Sequence, residues 1–143
     1  MKRYMFVLLV LGLACAFSMS VAAAEDLQKY DFDGKFTMEL EKGLDFERNT
    51  TNGGYVIFTD ASKGYTIMYV ENSFLKPEYV DQFYEGFESG GFEVVGAAGS
   101  YIKIHEKDGL YVASEYKKRG IVVFSMNTDK EKALDSIRTV EYK

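Results

Sequence analysis

The chain has 143 residues and a formal net charge of −5, from 17 basic and 22 acidic side chains. This acidic balance argues against a nucleic-acid-binding protein and against binding to anionic membrane surfaces, since both need a basic surface. The length suits one domain. The sequence has a single cysteine, Cys15, which excludes an intramolecular disulfide framework.

The N-terminus has the pattern of a secretory signal peptide. A basic pair precedes an apolar run from Met5 to Ala14, which is shorter than the roughly 20 residues of a membrane-spanning helix. Small residues before Glu25 provide a cleavage site. We therefore predict a signal peptide over 1–24 and a single α+β domain over 25–143. The expected location is extracellular, periplasmic or in the cell envelope, without a membrane span.

Cys15 allows a second processing route, cleavage before this cysteine followed by attachment of a lipid. Ala14 fits the pattern of a lipoprotein signal, but Gly12 stands where a large aliphatic residue is usual. The residues after Cys15 are also apolar, unlike the polar tether expected behind a lipid anchor. Soluble export is therefore the main prediction, and a lipid anchor at Cys15 is the alternative.

The first half of the expected domain predicts strands and one helix. Alternation predicts a strand over Phe36–Leu40, and the Asn/Gly-rich segment Asn49–Gly54 predicts a turn. A hairpin of Tyr55–Thr59 and Tyr65–Val70 follows. Pro77 then suits the first position of a helix that ends at Gly90-Gly91. Its apolar stripe has helical spacing and consists of Val80, Phe83, Tyr84 and Phe87.

The second half predicts four strands and a second helix. The strands are Phe92–Val95, Tyr101–Glu106, Leu110–Lys117 and Ile121–Met126, with glycine-bearing turns between the last three. Thr128 and Glu131 have the spacing of a capping box at the start of the second helix. The side chains of this helix that are expected to point toward the core are Ala133, Leu134 and Ile137. A short strand within 139–142 is expected to close the chain.

This element order predicts an α+β fold, in which an antiparallel sheet is packed by two helices. The strand Ile121–Met126 is apolar on both alternating faces, whereas a sheet covered on one side would show a polar face. The central strands are therefore expected to lie between the helices, with one helix on each face. The alternative is an aromatic face left open for a partner.

The same element order resembles that of the PsbP-like fold family of small exported or peripheral accessory domains. The matching segments are "GKFTMEL", "YVIFTDASKGYTIMYVE", the helix after Pro77, "YIKIHEKDGLYVASEYKKRGIVVFSM" and the final amphipathic helix. The resemblance implies a non-catalytic accessory or binding role and transfers no functional residue. Fold analogy alone does not determine function.

The sequence predicts no catalytic, cofactor-binding or metal-binding residues. His105 is the only histidine, and one histidine is too few for a structural zinc site. Strand alternation places it with Tyr101 and Lys103 on a polar face, so we predict an exposed histidine. Asp31-Phe32-Asp33-Gly34 lacks the further ligands of a calcium-binding loop and predicts a turn.

Two surface features complete the pattern. The basic cluster Lys117-Lys118-Arg119 is expected to be solvated at a hairpin tip. Asn49-Thr50-Thr51 is an N-glycosylation sequon on the predicted turn.

Six tyrosines have two possible roles, one in the core and one in a binding groove. They either edge the core beneath the helices or line a groove for a peptide, a lipid or a glycan. The set comprises Tyr55, Tyr65, Tyr69, Tyr101, Tyr111 and Tyr116.

The predicted function is therefore an exported non-enzymatic accessory or binding domain, whose partner is an unknown protein or cell-envelope component. One alternative is a carrier of a small hydrophobic ligand in a tyrosine-lined cleft. The other is a small extracytoplasmic hydrolase that uses His105 and scattered carboxylates.

Overall fold

A computed structural model describes residues 27–143, so the predicted signal peptide and Cys15 lie outside the described residues. The described chain contains ten strands and two helices, and its antiparallel sheets confirm the predicted α+β class. It divides into two compact units, one that ends at Gly43 and one that runs from Leu44 to Lys143.

The first unit contains an antiparallel hairpin of β1 (Leu27–Phe32) and β2 (Phe36–Glu41). Its turn is formed by Asp33 and Gly34, whose φ angles are +58° and +70°. The Asp31 Oδ1 atom accepts a hydrogen bond from the Gly34 N–H at 2.7 Å. The segment that was considered as a calcium loop is therefore a turn, as predicted.

The second unit contains a seven-stranded sheet in which every neighbouring pair is antiparallel. Its spatial order is β3-β4-β5-β9-β8-β7-β6. The bounds are β3 Glu47–Thr50, β4 Tyr55–Asp60, β5 Tyr65–Glu71, β6 Glu93–Ala98, β7 Ile102–Lys107, β8 Leu110–Glu115 and β9 Ile121–Asn127. A two-residue strand, β10 (Glu141–Tyr142), ends the described chain.

Helix α1 (Pro77–Ser89) begins at the proline and is followed by Gly90, as predicted. Val80 and Tyr84 are buried on its inner side. The rings of Phe83 and Phe87 make edge-to-face contacts with Phe124 of β9, at centroid distances of 6.1 and 5.7 Å. The predicted apolar stripe is therefore the face that packs on the sheet.

Helix α2 (Lys130–Arg138) begins one residue later than the predicted capping box. Asp129, and not Thr128, is the N-cap, and its carboxylate accepts hydrogen bonds from the N–H groups of Glu131 and Lys132 at 2.9 and 3.3 Å. On its inner face Ser136 is fully covered, whereas Leu134, which was predicted to point inward, is only half-buried.

The two helices cover opposite faces of the seven-stranded sheet. Phe124 contacts α1, whereas the next residue, Ser125, places its Oγ 2.7 Å from the Oγ of Ser136 in α2. Because consecutive strand residues point to opposite faces, the sheet lies between the helices. This arrangement confirms the prediction of one helix on each face. Neither helix within residues 27–143 is long and apolar enough to cross a membrane.

Candidate functional site

One flank of α1, which includes part of its sheet-packing stripe, forms one wall of an open groove of about 590 Å³. The β5–α1 loop and the start of β4 form the rest of its surface. The lining residues are Tyr55, Asn72, Phe74, Leu75, Tyr79, Gln82, Phe83, Gly86 and Phe87. The lining is therefore mostly aromatic, with two primary amides as its polar groups.

Hydrogen bonds through Asn72 hold the β5–α1 loop in place. Its N–H donates to the Gly120 carbonyl at 2.8 Å, and its carbonyl accepts from the Leu75 N–H at 2.8 Å. Its side-chain Oδ1 accepts from the Phe74 N–H at 2.8 Å. The Tyr116 hydroxyl donates to the Leu75 carbonyl at 2.9 Å. This side of the groove is thus preorganised by the fold.

Two aromatic side chains at the groove remain in contact with solvent. Phe74 is 77% exposed and Tyr79 is 44% exposed. Deeper in the groove, the ring of Tyr55 makes an edge-to-face contact with Phe83 at 6.1 Å. Partial burial raises the pKa of the Tyr55 hydroxyl above its ordinary value near 10, so this group is a neutral phenol at neutral pH, as other tyrosines are. Clustered exposed aromatic groups of this kind are typical of surfaces that bind an apolar partner or ligand.

Gly86 leaves a gap in the helical wall of the groove. Glycine in the interior of a helix destabilises the folded protein by about 1 kcal/mol relative to alanine. Its presence in α1 therefore suggests a requirement of the structure or of a ligand. Packing within residues 27–143 does not require this glycine, because a Cβ atom at Gly86 would meet none of their atoms within 4 Å. The missing side chain instead enlarges the groove beside Gln82 and Phe83.

Most of the tyrosines that were considered for a groove lie elsewhere. Tyr65 and Tyr69 are buried in β5 and Tyr101 is exposed, whereas Tyr55 is the one member of the set that lines the groove. Sequence reasoning missed Phe74 and Tyr79. Their signal was present, since both are aromatic residues close to Pro77 but outside the apolar stripe of α1.

The prediction that His105 is exposed is wrong. Its side chain is fully buried, with ring centroids 5.4 Å from Tyr84 and 5.3 Å from Phe87. His105 does share a sheet face with Lys103, as alternation predicted, but α1 covers the face at His105 and leaves Lys103 exposed. Alternation determines the face of a residue and cannot determine which part of that face a helix covers.

The buried imidazole of His105 has an unusual polar environment. Neither ring nitrogen has a hydrogen-bond partner within residues 27–143. The nearest carboxylate oxygen, Oε2 of Glu88, lies 3.7 Å from Nε2, which is beyond hydrogen-bond distance. Burial lowers the pKa of His105, with Glu88 opposing and Lys103 reinforcing this shift. The folded protein therefore favours the neutral imidazole.

A second buried ionisable group lies at the end of β8. Glu115 is buried, and its Oε1 accepts a hydrogen bond from the Tyr142 hydroxyl at 2.7 Å. Burial raises the pKa of Glu115, against the opposing effects of Tyr142 and Lys117. Burial, together with the neighbouring carboxylate, also raises the pKa of Tyr142. The pair fixes the C-terminal strand to the sheet.

Tyr142→Phe is expected to lower the free energy of unfolding by about 1–3 kcal/mol, because the buried Glu115 carboxylate loses its donor. Urea unfolding at neutral pH measures this change. Tyr101→Phe is the matched control, since Tyr101 is 52% exposed and its variant should stay within about 0.5 kcal/mol of the wild type. A loss below about 0.5 kcal/mol for Tyr142→Phe would contradict a stabilising role for this hydrogen bond.

The remaining sequence features are on the surface. The cluster Lys117-Lys118-Arg119 is exposed, as predicted, and the Lys118 ammonium donates to the Lys143 carbonyl at 2.9 Å. Asn49 is exposed but lies in β3, opposite Ile57, and not in the predicted turn. Among residues 27–143, no three His, Cys, Asp or Glu side chains come together in a way that would hold a metal ion.

No family model, no curated protein and no solved structure matches the chain. The function is therefore inferred from the groove and from the residues that surround it.

Proposed function

We propose that the chain is a non-enzymatic binding domain that holds a small hydrophobic ligand in the groove beside α1. The observation that carries this proposal is the gap at Gly86, where the helical wall is open although packing within residues 27–143 does not require a glycine. A groove of about 590 Å³ is within the range of small-molecule sites, roughly 300–1,000 Å³. The exported location and the PsbP-like resemblance remain predictions that are compatible with this role.

The composition of the groove supports binding over hydrolysis. Among residues 27–143, the groove lining contains no imidazole, amine, thiol or aliphatic hydroxyl, and its ionisable groups are the phenols of Tyr55 and Tyr79. His105 is buried beneath α1, so a substrate cannot reach it in this conformation. The aromatic rings provide apolar contact, and the amides of Asn72 and Gln82 provide hydrogen bonds that orient a ligand.

The neutral dye N-phenyl-1-naphthylamine tests the proposal, because its fluorescence rises when it enters an apolar site. The protein is expected to bind the dye, and Gly86→Leu is expected to weaken binding at least tenfold, because the leucine side chain occupies part of the groove. The same substitution should preserve or raise thermal stability, since leucine is a better helix former than glycine and a Cβ atom at this position meets no atom of residues 27–143 within 4 Å.

Asp81→Leu is the matched control, because it adds the same side chain to an exposed position of the same helix outside the groove. This variant should bind the dye as the wild type does. Wild-type-like binding by Gly86→Leu would show that the dye binds elsewhere. Failure of the wild type to bind it would overturn the proposed function.

A further inference from the structure

We infer that the groove selects amphiphiles that carry a cationic headgroup, an inference that rests on the proposed function and names its ligand class. The groove receives the apolar tail, and the acidic rim of α1 receives the cation. The acidic rim is defined as Glu78 and Glu85, which lie on the solvent side of the helical wall. The evidence is the distribution of charge along α1 and the aromatic groups at the opening.

The segment that forms the groove is depleted of basic residues. Lys76 is the only lysine or arginine between Lys63 and Lys103. Helix α1 itself carries four carboxylates and no basic side chain. Lys76 and α1 together thus have one positive and four negative charges, a net charge of 1 − 4 = −3. The four exposed carboxylates of α1 are Glu78, Asp81, Glu85 and Glu88.

Helical spacing places the acidic rim beside the groove. Glu78 precedes the groove residue Gln82 by four positions and Glu85 follows it by three, so both are neighbours of Gln82 on the helix surface. Glu85 also directly precedes the gap at Gly86. In contrast, Glu88 lies on the side of α1 that approaches His105. A headgroup at the groove beside Gln82 therefore meets two carboxylates.

The exposed aromatic groups favour the same ligand class. Phe74 and Tyr79 offer exposed rings at the groove, and Tyr79 directly follows Glu78 in the sequence. An organic cation is attracted to aromatic ring faces as well as to carboxylates. An anionic headgroup would meet repulsion from the rim and would gain nothing from the ring faces. The positive charge of Lys76 repels a cationic headgroup, but the two carboxylates of the acidic rim give a larger opposite charge.

Three decyl amphiphiles with the same tail test this selectivity: decyltrimethylammonium, decyl maltoside and decyl sulfate. Binding is measured by isothermal titration calorimetry below the micelle concentration, and circular dichroism monitors that the fold is intact. In 20 mM salt the cationic compound is expected to bind about three- to tenfold more tightly than the uncharged one, and the anionic one more weakly. Raising the salt to 200 mM should reduce this preference, because the rim is exposed to solvent.

Two double variants test whether the preference for the cation depends on the acidic rim of α1. Glu78→Gln/Glu85→Gln is expected to abolish the preference for the cation, so that decyltrimethylammonium binds no more tightly than decyl maltoside. Asp81→Asn/Glu88→Gln removes the same charge from the other side of the helix and should retain the preference. Equal binding of all three amphiphiles, or an unchanged preference without the rim carboxylates, would overturn the selectivity and leave the groove proposal standing. Binding of the dye but of none of the amphiphiles would also overturn the selectivity alone, whereas failure of the dye to bind would overturn both.

Discussion

Phe124→Ala is expected to lower the free energy of unfolding by about 3–5 kcal/mol, the range for removal of a buried phenylalanine side chain. Phe124 is fully buried in β9 and belongs to the core cluster beneath α1. Its ring contacts both Phe83 and Phe87, so truncation leaves a cavity between the helix and the sheet. These two side chains also line the groove, and the same variant should therefore bind the neutral dye more weakly.

Urea unfolding followed by far-ultraviolet circular dichroism measures this loss, since the sequence contains no tryptophan for fluorescence. The control is Val94→Ala in β6, whose side chain is 48% exposed and whose change should stay within about 0.5 kcal/mol. If Phe124→Ala does not fold, Phe124→Leu leaves a smaller cavity and should cost roughly 1–2 kcal/mol. A loss below about 1 kcal/mol for the alanine variant would contradict the packing of α1 on β9.

Elements with a strong apolar period were predicted correctly because the same period determines burial. The stripe of α1 has helical spacing, and its members Val80 and Tyr84 are buried against the sheet. In β9, five consecutive residues from Ile121 to Ser125 are buried, as expected of a strand covered on both faces. These patterns are informative because each of these elements packs against the core along its whole length.

Elements that form mainly through backbone pairing show no apolar pattern in the sequence and were not predicted. Strand β3 was missed because all four of its residues are polar and exposed, and it forms by pairing with β4 at the sheet edge. Strand β1 was missed because only its last residue is buried. At α2, Thr128 and Asp129 are both good capping residues, and the side-chain hydrogen bonds of Asp129 decide between them.

The groove was only partly predictable for a related reason. Its wall and its opening come from three segments that are brought together by the fold, namely the start of β4, the β5–α1 loop and one flank of α1. The sequence indicated Tyr55 as a candidate, but the exposure of Phe74 and Tyr79 depends on how the loop is held by Asn72. The contribution of Gly86 to the groove likewise becomes apparent only from the open space beside it in the structure.

His105→Phe is expected to remove a loss of stability that the wild type undergoes as the pH falls below about 6.5, the pKa of an unfolded histidine. In the unfolded chain a histidine binds a proton with a pKa near 6.5. Burial between Tyr84 and Phe87 lowers the pKa of His105 in the folded protein, so the unfolded state binds the proton more readily. Its contribution to stability is therefore complete above about pH 6.5 and is lost as the pH falls through the folded-state pKa. The slope for one proton cannot exceed about 1.4 kcal/mol per pH unit.

Other groups also change stability with pH, so the comparison of variant with wild type isolates the contribution of His105. The raised pKa of Glu115 acts in the opposite direction, because its contribution is present at low pH and is lost as the pH rises. Urea unfolding of both proteins at several pH values gives the difference directly. Glu88→Gln should make the acid-induced loss steeper, because the carboxylate 3.7 Å from Nε2 favours the protonated imidazole. Parallel stability curves for wild type and His105→Phe would show that the imidazole titrates alike in the folded and unfolded chains, against its burial beneath α1.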